Sequence, residues 1–205
     1  MALEEYRRKR KLAKTPEPAG STQPPHYGRI FVVQKHAAKR LHYDFRLAIE
    51  GVLVSWAVPR GPSMNPAERR LAIRTEDHPL EYADFEGVIP QGQYGAGTAM
   101  VWDRGEYEAK GCVSLEEQFS HGKIDVNLRG KKLQGGFTLI RTRPRSPDRG
   151  EGERWLVIKH RDEHADPSWD VESPELDYSV LTGRTLKEIE EATSQRVATV
   201  VCPSP

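Results

Sequence analysis

Apolar and polar residues alternate most strictly over residues 41–49. Leu41, Tyr43, Phe45, Leu47 and Ile49 fall on one face of a strand, and His42, Asp44 and Arg46 on the other, because successive strand side chains point to opposite faces. Apolar runs at 30–34, 52–58, 71–76, 98–102, 123–128, 136–142 and 155–159 read as further short strands, punctuated by Gly, Pro and Asn. Glu50-Gly51, between two such runs, predicts a hairpin turn. Helical periodicity is sparse. Residues 114–119 make one or two turns, and Thr185-Leu186-Lys187-Glu188 is a capping box that opens a helix to about Thr193. Many strands with few helices predict a mainly β fold, an antiparallel barrel or sandwich rather than a βαβ array.

The ends of the chain depart from this pattern. Residues 1–27 combine the basic stretch Tyr6-Arg7-Arg8-Lys9-Arg10-Lys11 with Pro16, Pro18, Pro24 and Pro25, and predict an arm without a core of its own. Residues 28–195 form the β domain, 142–153 a mobile loop, and 196–205 a loose tail. A chain of 205 residues suffices for one such domain and buries a core without disulfides. No apolar run approaches the ~20 residues of a membrane span. With no secretory signal, and with Cys112 and Cys202 too far apart for a disulfide framework or a thiolate zinc site, a reducing cytoplasm is the expected location. Net charge is only +1, yet acidic residues outnumber basic ones from Glu151 onward. The earlier part is therefore basic, which is compatible with a phosphate-bearing partner.

The polar face of the 41–49 strand carries specific chemistry. Opposite a buried apolar face, His42, Asp44 and Arg46 must line a groove or a barrel interior. Imidazole and carboxylate are ligands for Mn²⁺, Fe²⁺ or Zn²⁺. Arg46 binds no metal but is a fixed fork for an anion, above all phosphate. His36, at the end of the preceding strand, offers a third ligand. The plain alternative is a row of hydrogen-bonded strand residues. A second row, Arg70 to His78, puts Leu71 and Ile73 on one face and Arg74, Glu76 and His78 on the other, with His78 placed as a phosphate contact or general acid. The segment Pro90-Gln91-Gly92-Gln93-Tyr94-Gly95-Ala96-Gly97 is a glycine loop that either approaches a phosphate or sugar or simply connects strands. His26, His121, His160 and His164 lack partners at ligand spacing and read as surface.

Several motifs occur in a fixed order: Gln34-Lys35-His36, His42-Tyr43-Asp44-Phe45-Arg46-Leu47, Ser55-Trp56-Ala57-Val58-Pro59-Arg60-Gly61-Pro62, Glu76-Asp77-His78-Pro79, Tyr82-Ala83-Asp84-Phe85-Glu86-Gly87 and the glycine loop. Together they resemble the 3′-phosphoesterase domain of the bacterial DNA ligase D family of non-homologous end joining, over about residues 6–159. The resemblance implies a compact, crescent-like antiparallel β-barrel with one or two short helices, an N-terminal arm and a site on its concave face. It implies Mn²⁺-dependent healing of DNA or DNA/RNA primer-template 3′ ends, in which a terminal ribonucleoside is removed and a 3′-phosphate is then hydrolysed to a 3′-hydroxyl. Metal ligands carry over to His36, His42 and Asp44, which also take Co²⁺ or Zn²⁺. Phosphate contacts carry over to Arg46, His78 and Tyr82, so His42, Asp44, Arg46, His78 and Tyr82 are the catalytic set. An outer substrate site carries over to Arg10, Glu17, Arg60, Arg70 and Glu76.

One departure concerns the arm motif Lys-Arg-Asp-Phe, which reads Lys9-Arg10-Lys11-Leu12 here. That arm serves the nuclease step in relatives, so ribonucleoside removal is the activity the change puts in question. No Lys-x-Asp-Gly motif is present, so a monomeric stand-alone protein or excised module is expected, with an ATP-dependent DNA ligase, polymerase and Ku acting in trans, near the nucleoid. Two other classes fit parts of the pattern: a non-haem Fe(II) oxygenase with two His and a carboxylate, and a non-catalytic module that binds DNA ends through the basic arm.

Overall fold

The computed structural model describes residues 3–21, 27–142 and 152–201. Strands β1 (Ile30–Ala37), β2 (Leu41–Ile49) and β3 (Val52–Val58) form an antiparallel meander. The Glu50-Gly51 hairpin holds positive φ at both residues, 48° and 79°, the turn that matches the twist of paired strands. Next come β4 (Arg69–Arg74), the short β5 (His78–Pro79) and β6 (Gly87–Ile89), and the long β7 (Gly97–Ala109). Then follow β8 (Lys123–Gly130), β9 (Gln134–Arg141) and β10 (Arg154–Lys159). The order β1-β2-β3-β4-β10-β9-β8-β7 closes because β7 also pairs with β1, giving an eight-strand antiparallel barrel, with β5 added to β3 and β6 to β7. Closure leaves no free edge in the eight-strand ring.

The alternating apolar face of β2 points into the barrel. Phe45 and Leu47 are fully buried there with Phe31, Trp56, Trp102 and Trp155. The barrel interior is therefore dry core, and His42, Asp44 and Arg46 stand on the outer wall instead. That wall is itself covered. Ile30, Val32, Ala48 and Leu53 meet Tyr6, Leu80, Tyr82 and Phe85, which arrive from the arm and from a 3-10 turn, Leu80–Asp84. The second core clamps the apolar half of the wall and leaves the polar half beneath the arm, where Arg10 and Glu17 meet His78 and Tyr82.

Two expectations need correction. Three α-helices are present among the described residues rather than one or two: α1 (Glu4–Lys9), α2 (Leu115–His121) and α3 (Leu186–Val201). The arm docks on the barrel wall: α1 buries Tyr6 completely in the second core, and its hydroxyl donates to the Pro18 carbonyl. Helix α3 passes Thr193 and includes part of the segment read as a tail, whereas residues 143–151 of the expected loop and 202–205 of the tail lie outside the described residues. Ser114 caps α2 by accepting from Glu117 N–H, and the Thr185 capping box forms as predicted.

Candidate active site

Register brings the ligand candidates together. His36 on β1 lies directly opposite His42 on β2, and Gln34 opposite Asp44. One ligand atom from each of His36, His42 and Asp44 lies within 4.8 Å of the others. The imidazole rings are 4.8 Å apart, and each has one nitrogen 3.6 Å from the Asp44 carboxylate. Backbone carbonyls occupy the opposite nitrogens: Gly95 O is 3.0 Å from His36 Nε2, and Arg40 O is 3.0 Å from His42 Nδ1. His36 Nδ1 and His42 Nε2 are the nitrogens turned toward Asp44, and the carbonyls on the far side of each ring fix the ring orientation. Two oriented imidazoles and a carboxylate fit a divalent transition metal.

Arg46 completes the row. Its Nη2 donates to Asp44 at 3.1 Å, Nε to Gln34 at 2.8 Å and Nη1 to Ser55 at 2.7 Å. His78 Nδ1 lies 2.8 Å from Nη1 and 2.9 Å from the Glu76 carbonyl. Arg10 Nη2 reaches the far side of the ring, 3.1 Å from Nε2. Arg10 also pairs with Glu17 at 2.7 Å and Glu76 at 2.8 Å, and Lys9 meets Glu76 at 3.0 Å. Tyr82 packs edge-on against His78 and donates to Glu17. Charges thus alternate from Asp44 outward through Arg46, past His78, to Arg10, the two glutamates and Lys9.

Burial and these neighbours set the protonation states. Burial raises the Asp44 carboxyl, but Arg46 and the two imidazoles outweigh it and hold it well below the usual carboxylate range. His78 is lowered well below an ordinary imidazole by burial and by the guanidiniums of Arg46 and Arg10, so it is neutral near pH 7. Burial, with Glu17 beside it, raises the Tyr82 phenol, which stays protonated. Burial also opposes the charge on Glu76, yet hydrogen bonds from Arg10 and Lys9 lower it on balance.

Nine of the eleven expected residues converge: His36, His42, Asp44, Arg46, His78, Tyr82, Arg10, Glu17 and Glu76. Arg60 and Arg70 do not join them. Arg60 is exposed and Arg70 half-buried along a separate groove of 420 Å³ with Glu68, Arg69 and Leu71, where Arg70 donates to the Arg60 carbonyl and pairs with Glu68. The expected face of Arg74, Glu76 and His78 also breaks, because β4 stops at Arg74, which turns to Asp77 and stacks over Trp56 and Phe119. Leu71 is exposed and Ala72 buried, the reverse of the expected facing. His160 is half-buried and bound to Thr138 rather than a plain surface residue, and His26 lies outside the described residues.

Sequence reasoning assigned no role to Gln34, Ser55, Tyr6 or Lys9. Gln34 holds Arg46 and donates to the Tyr82 and Phe85 carbonyls. It shares a face with His36 at period 2, and Ser55 is the one hydroxyl in an apolar run, so both left a legible signal.

Residues 34–141 match the family model described as the DNA ligase D 3′-phosphoesterase domain. The chain is 47% identical over 188 residues to the multifunctional non-homologous end joining protein LigD of Pseudomonas aeruginosa, covering 90% of this chain and 22% of that protein. It is 47% identical over 156 residues to the multifunctional non-homologous end joining DNA repair protein LigD of Mycobacterium tuberculosis, covering 76% of this chain and 19% of that protein. The chain thus spans about a fifth of the length of these relatives. The matched region runs from Gln34 through the ligand cluster, Arg46, His78 and Tyr82, and the chain belongs to the DNA ligase D 3′-phosphoesterase domain family.

Proposed function

We propose that the protein is a divalent-metal-dependent phosphoesterase that heals nucleic-acid 3′ ends during double-strand break repair. It removes a 3′-phosphate to leave a 3′-hydroxyl and excises a terminal ribonucleoside from a primer strand. The observation that supports this most directly is the 3.1 Å contact of the buried Arg46 fork with Asp44, inside a cluster of two imidazoles and a carboxylate. His36, His42 and Asp44 would hold the metal, for which Mn²⁺ is the favoured candidate and Co²⁺ or Zn²⁺ are accepted by the same donors. When bound, the ion supplies Lewis-acid polarisation of a phosphoryl oxygen.

The protein's own groups do the rest. Arg46 offers Nη2 to phosphoryl oxygens while Gln34, Ser55 and His78 keep its plane from swinging. His78 is neutral in the free protein; a phosphate dianion bound beside it offsets the charge of Arg46 and Arg10, so His78 can take a proton from solvent and pass it to the leaving oxygen. Tyr82 acts as a hydrogen-bond donor. The 3′-hydroxyl product is what a DNA ligase or polymerase consumes, and those enzymes, with Ku, act in trans or from linked segments.

The test uses 5′-labelled primer-templates ending in one ribonucleotide or in a 3′-phosphate, incubated with Mn²⁺, with and without chelator. Conversion of both to 3′-hydroxyl ends, abolished by chelator, is expected. Salt-sensitive binding without turnover under a metal screen would instead mark a non-catalytic end-binding module, and turnover that needs O₂ and Fe²⁺ an oxygenase.

A further inference from the structure

We infer that Tyr94 is the stacking platform for the terminal nucleobase of the strand whose 3′ end enters the site. The inference rests on the function proposed above and adds to it how that strand end is held. Tyr94 is 48% exposed and packs into neither core. Among the described residues the other aromatic comparably exposed is Tyr178, and its ring is covered by Lys132 at 3.9 Å.

Tyr94 stands beside the ligand cluster because of its loop. The next residue, Gly95, accepts from His36 Nε2 at 3.0 Å. Two residues on, a Cβ at Gly97 would lie 2.3 Å from the Ala37 carbonyl, so only glycine lets β7 press this closely on the end of β1. The loop is thereby laid against His36, and Tyr94 projects to solvent next to it. Two cations lie over the ring: Lys9 Nζ is 5.0 Å and the Arg10 guanidinium 5.5 Å from its centroid. A half-exposed aromatic ring with cations held at it, adjacent to the ligand cluster and Arg46, is the pairing a nucleotide recognises: a face for the base and charge for the backbone. Stacking accepts any base, so this site senses that a base is present and not which one.

The experiment is equilibrium binding of a primer-template carrying 2-aminopurine at the 3′ end, read by quenching of its fluorescence, with metal omitted. An abasic 3′ terminus is compared by anisotropy. Wild type and Tyr94→Phe are expected to quench the probe and to bind the abasic end roughly five- to a hundredfold more weakly. Tyr94→Leu, checked for folding by circular dichroism, is expected to lose the quenching and to bind both ends alike. The Phe variant keeps the ring but loses the hydroxyl that accepts from Lys9 Nζ at 3.4 Å, so it separates stacking from that hydrogen bond. Quenching by Tyr94→Leu equal to wild type, or no preference of wild type for a base, overturns the inference. Turnover assays on the same proteins stand apart: quenching without turnover leaves the platform intact and removes the phosphoesterase reading, whereas turnover without quenching does the reverse.

Discussion

Two histidine–aspartate pairs stand on outward faces of this barrel, and they come to different ends. His42 and Asp44 share β2, face His36 across the β1 register, and back onto the buried Arg46. Asp125 on β8 and His160 after β10 approach to 3.7 Å, but Thr138 lies between them, donating to Asp125 and lying 2.7 Å from His160 Nε2. The second pair has no third donor of metal-ligand type among the described residues and no buried guanidinium; its carboxylate meets Lys123, which is 60% exposed. A hydroxyl satisfies the second pair, while the first is held open by carbonyls that take the outer ring nitrogens. Proximity of His to Asp is thus not the signal. A third donor and a desolvated cation are.

The sharpest way to break that comparison is to remove each carboxylate. Asp44→Ala leaves Arg46 buried without its counter-ion, which costs about 3–5 kcal/mol of stability. It also deletes a ligand, so metal affinity should fall by more than the ~100-fold typical of losing a mere supporting contact. Asp125→Ala should change stability by less than about 1 kcal/mol and leave metal affinity alone. Calorimetric metal titration and denaturant melts of both variants check this; equal losses would erase the distinction.

Arg46→Lys tests the cation separately. Lysine keeps the charge but not the fork, so Gln34, Ser55 and Asp44 can no longer all be served. Turnover should fall by roughly 10²–10³, with metal affinity preserved because the three ligands remain. Loss of metal binding in step with turnover would mean that the guanidinium only scaffolds the ligands.

The two histidines predict a smaller difference, in pH dependence. The folded pKa of His78 is depressed by burial and two guanidiniums. Below about pH 6.5 the unfolded chain therefore binds a proton that the native state refuses, so stability is full above that pH and declines on acidification. The slope is about 1.4 kcal/mol per pH unit for this one group. His160 is also lowered, again chiefly by burial, but it is partly exposed and contributes less. Urea melts at pH 7.5 and 5.5 should show His78→Gln flattening the slope more than His160→Gln.

What could be read from the sequence follows the same logic. Period-2 alternation placed β2 at its observed bounds and set His42, Asp44 and Arg46 on one face, because a strand's geometry is local. The pairing of His36 with His42 depends on register between strands, and β1 runs three residues past the expected end. The second row failed for a non-local reason: β4 ends at Arg74 and the chain leaves it to add β5 to β3, so His78 reaches the site from another strand while Arg74 goes elsewhere. Tyr6 was hidden in a basic, proline-rich stretch whose order comes from docking on the barrel wall and not from its own pattern. Arg60 and Arg70 carried a family position, which does not itself bring them into contact with the cluster.

The arm has no counterpart at the His160 pair, so it offers the finest contrast. Lys11, exposed, stands at the N-cap of the 3-10 turn Leu12–Lys14 and makes no side-chain cap. Lys11→Asp supplies an acceptor for the free N–H groups of that turn, a gain of about 0.5–1 kcal/mol in arm docking at most. Arg10, the adjacent residue, bridges Glu17, Glu76 and His78, so a steadier turn steadies the outermost charged link of the site. On the function proposed above, with the strand lying along the arm, Lys11→Asp should speed removal of a terminal ribonucleoside. It should leave 3′-phosphate removal nearly unchanged, since the proposed function assigns that group to Arg46, His78 and the ligand cluster alone. Single-turnover rates on the two primer ends measure the ratio. An equal change in both rates would place the arm's effect on the shared phosphate pocket and not on the strand.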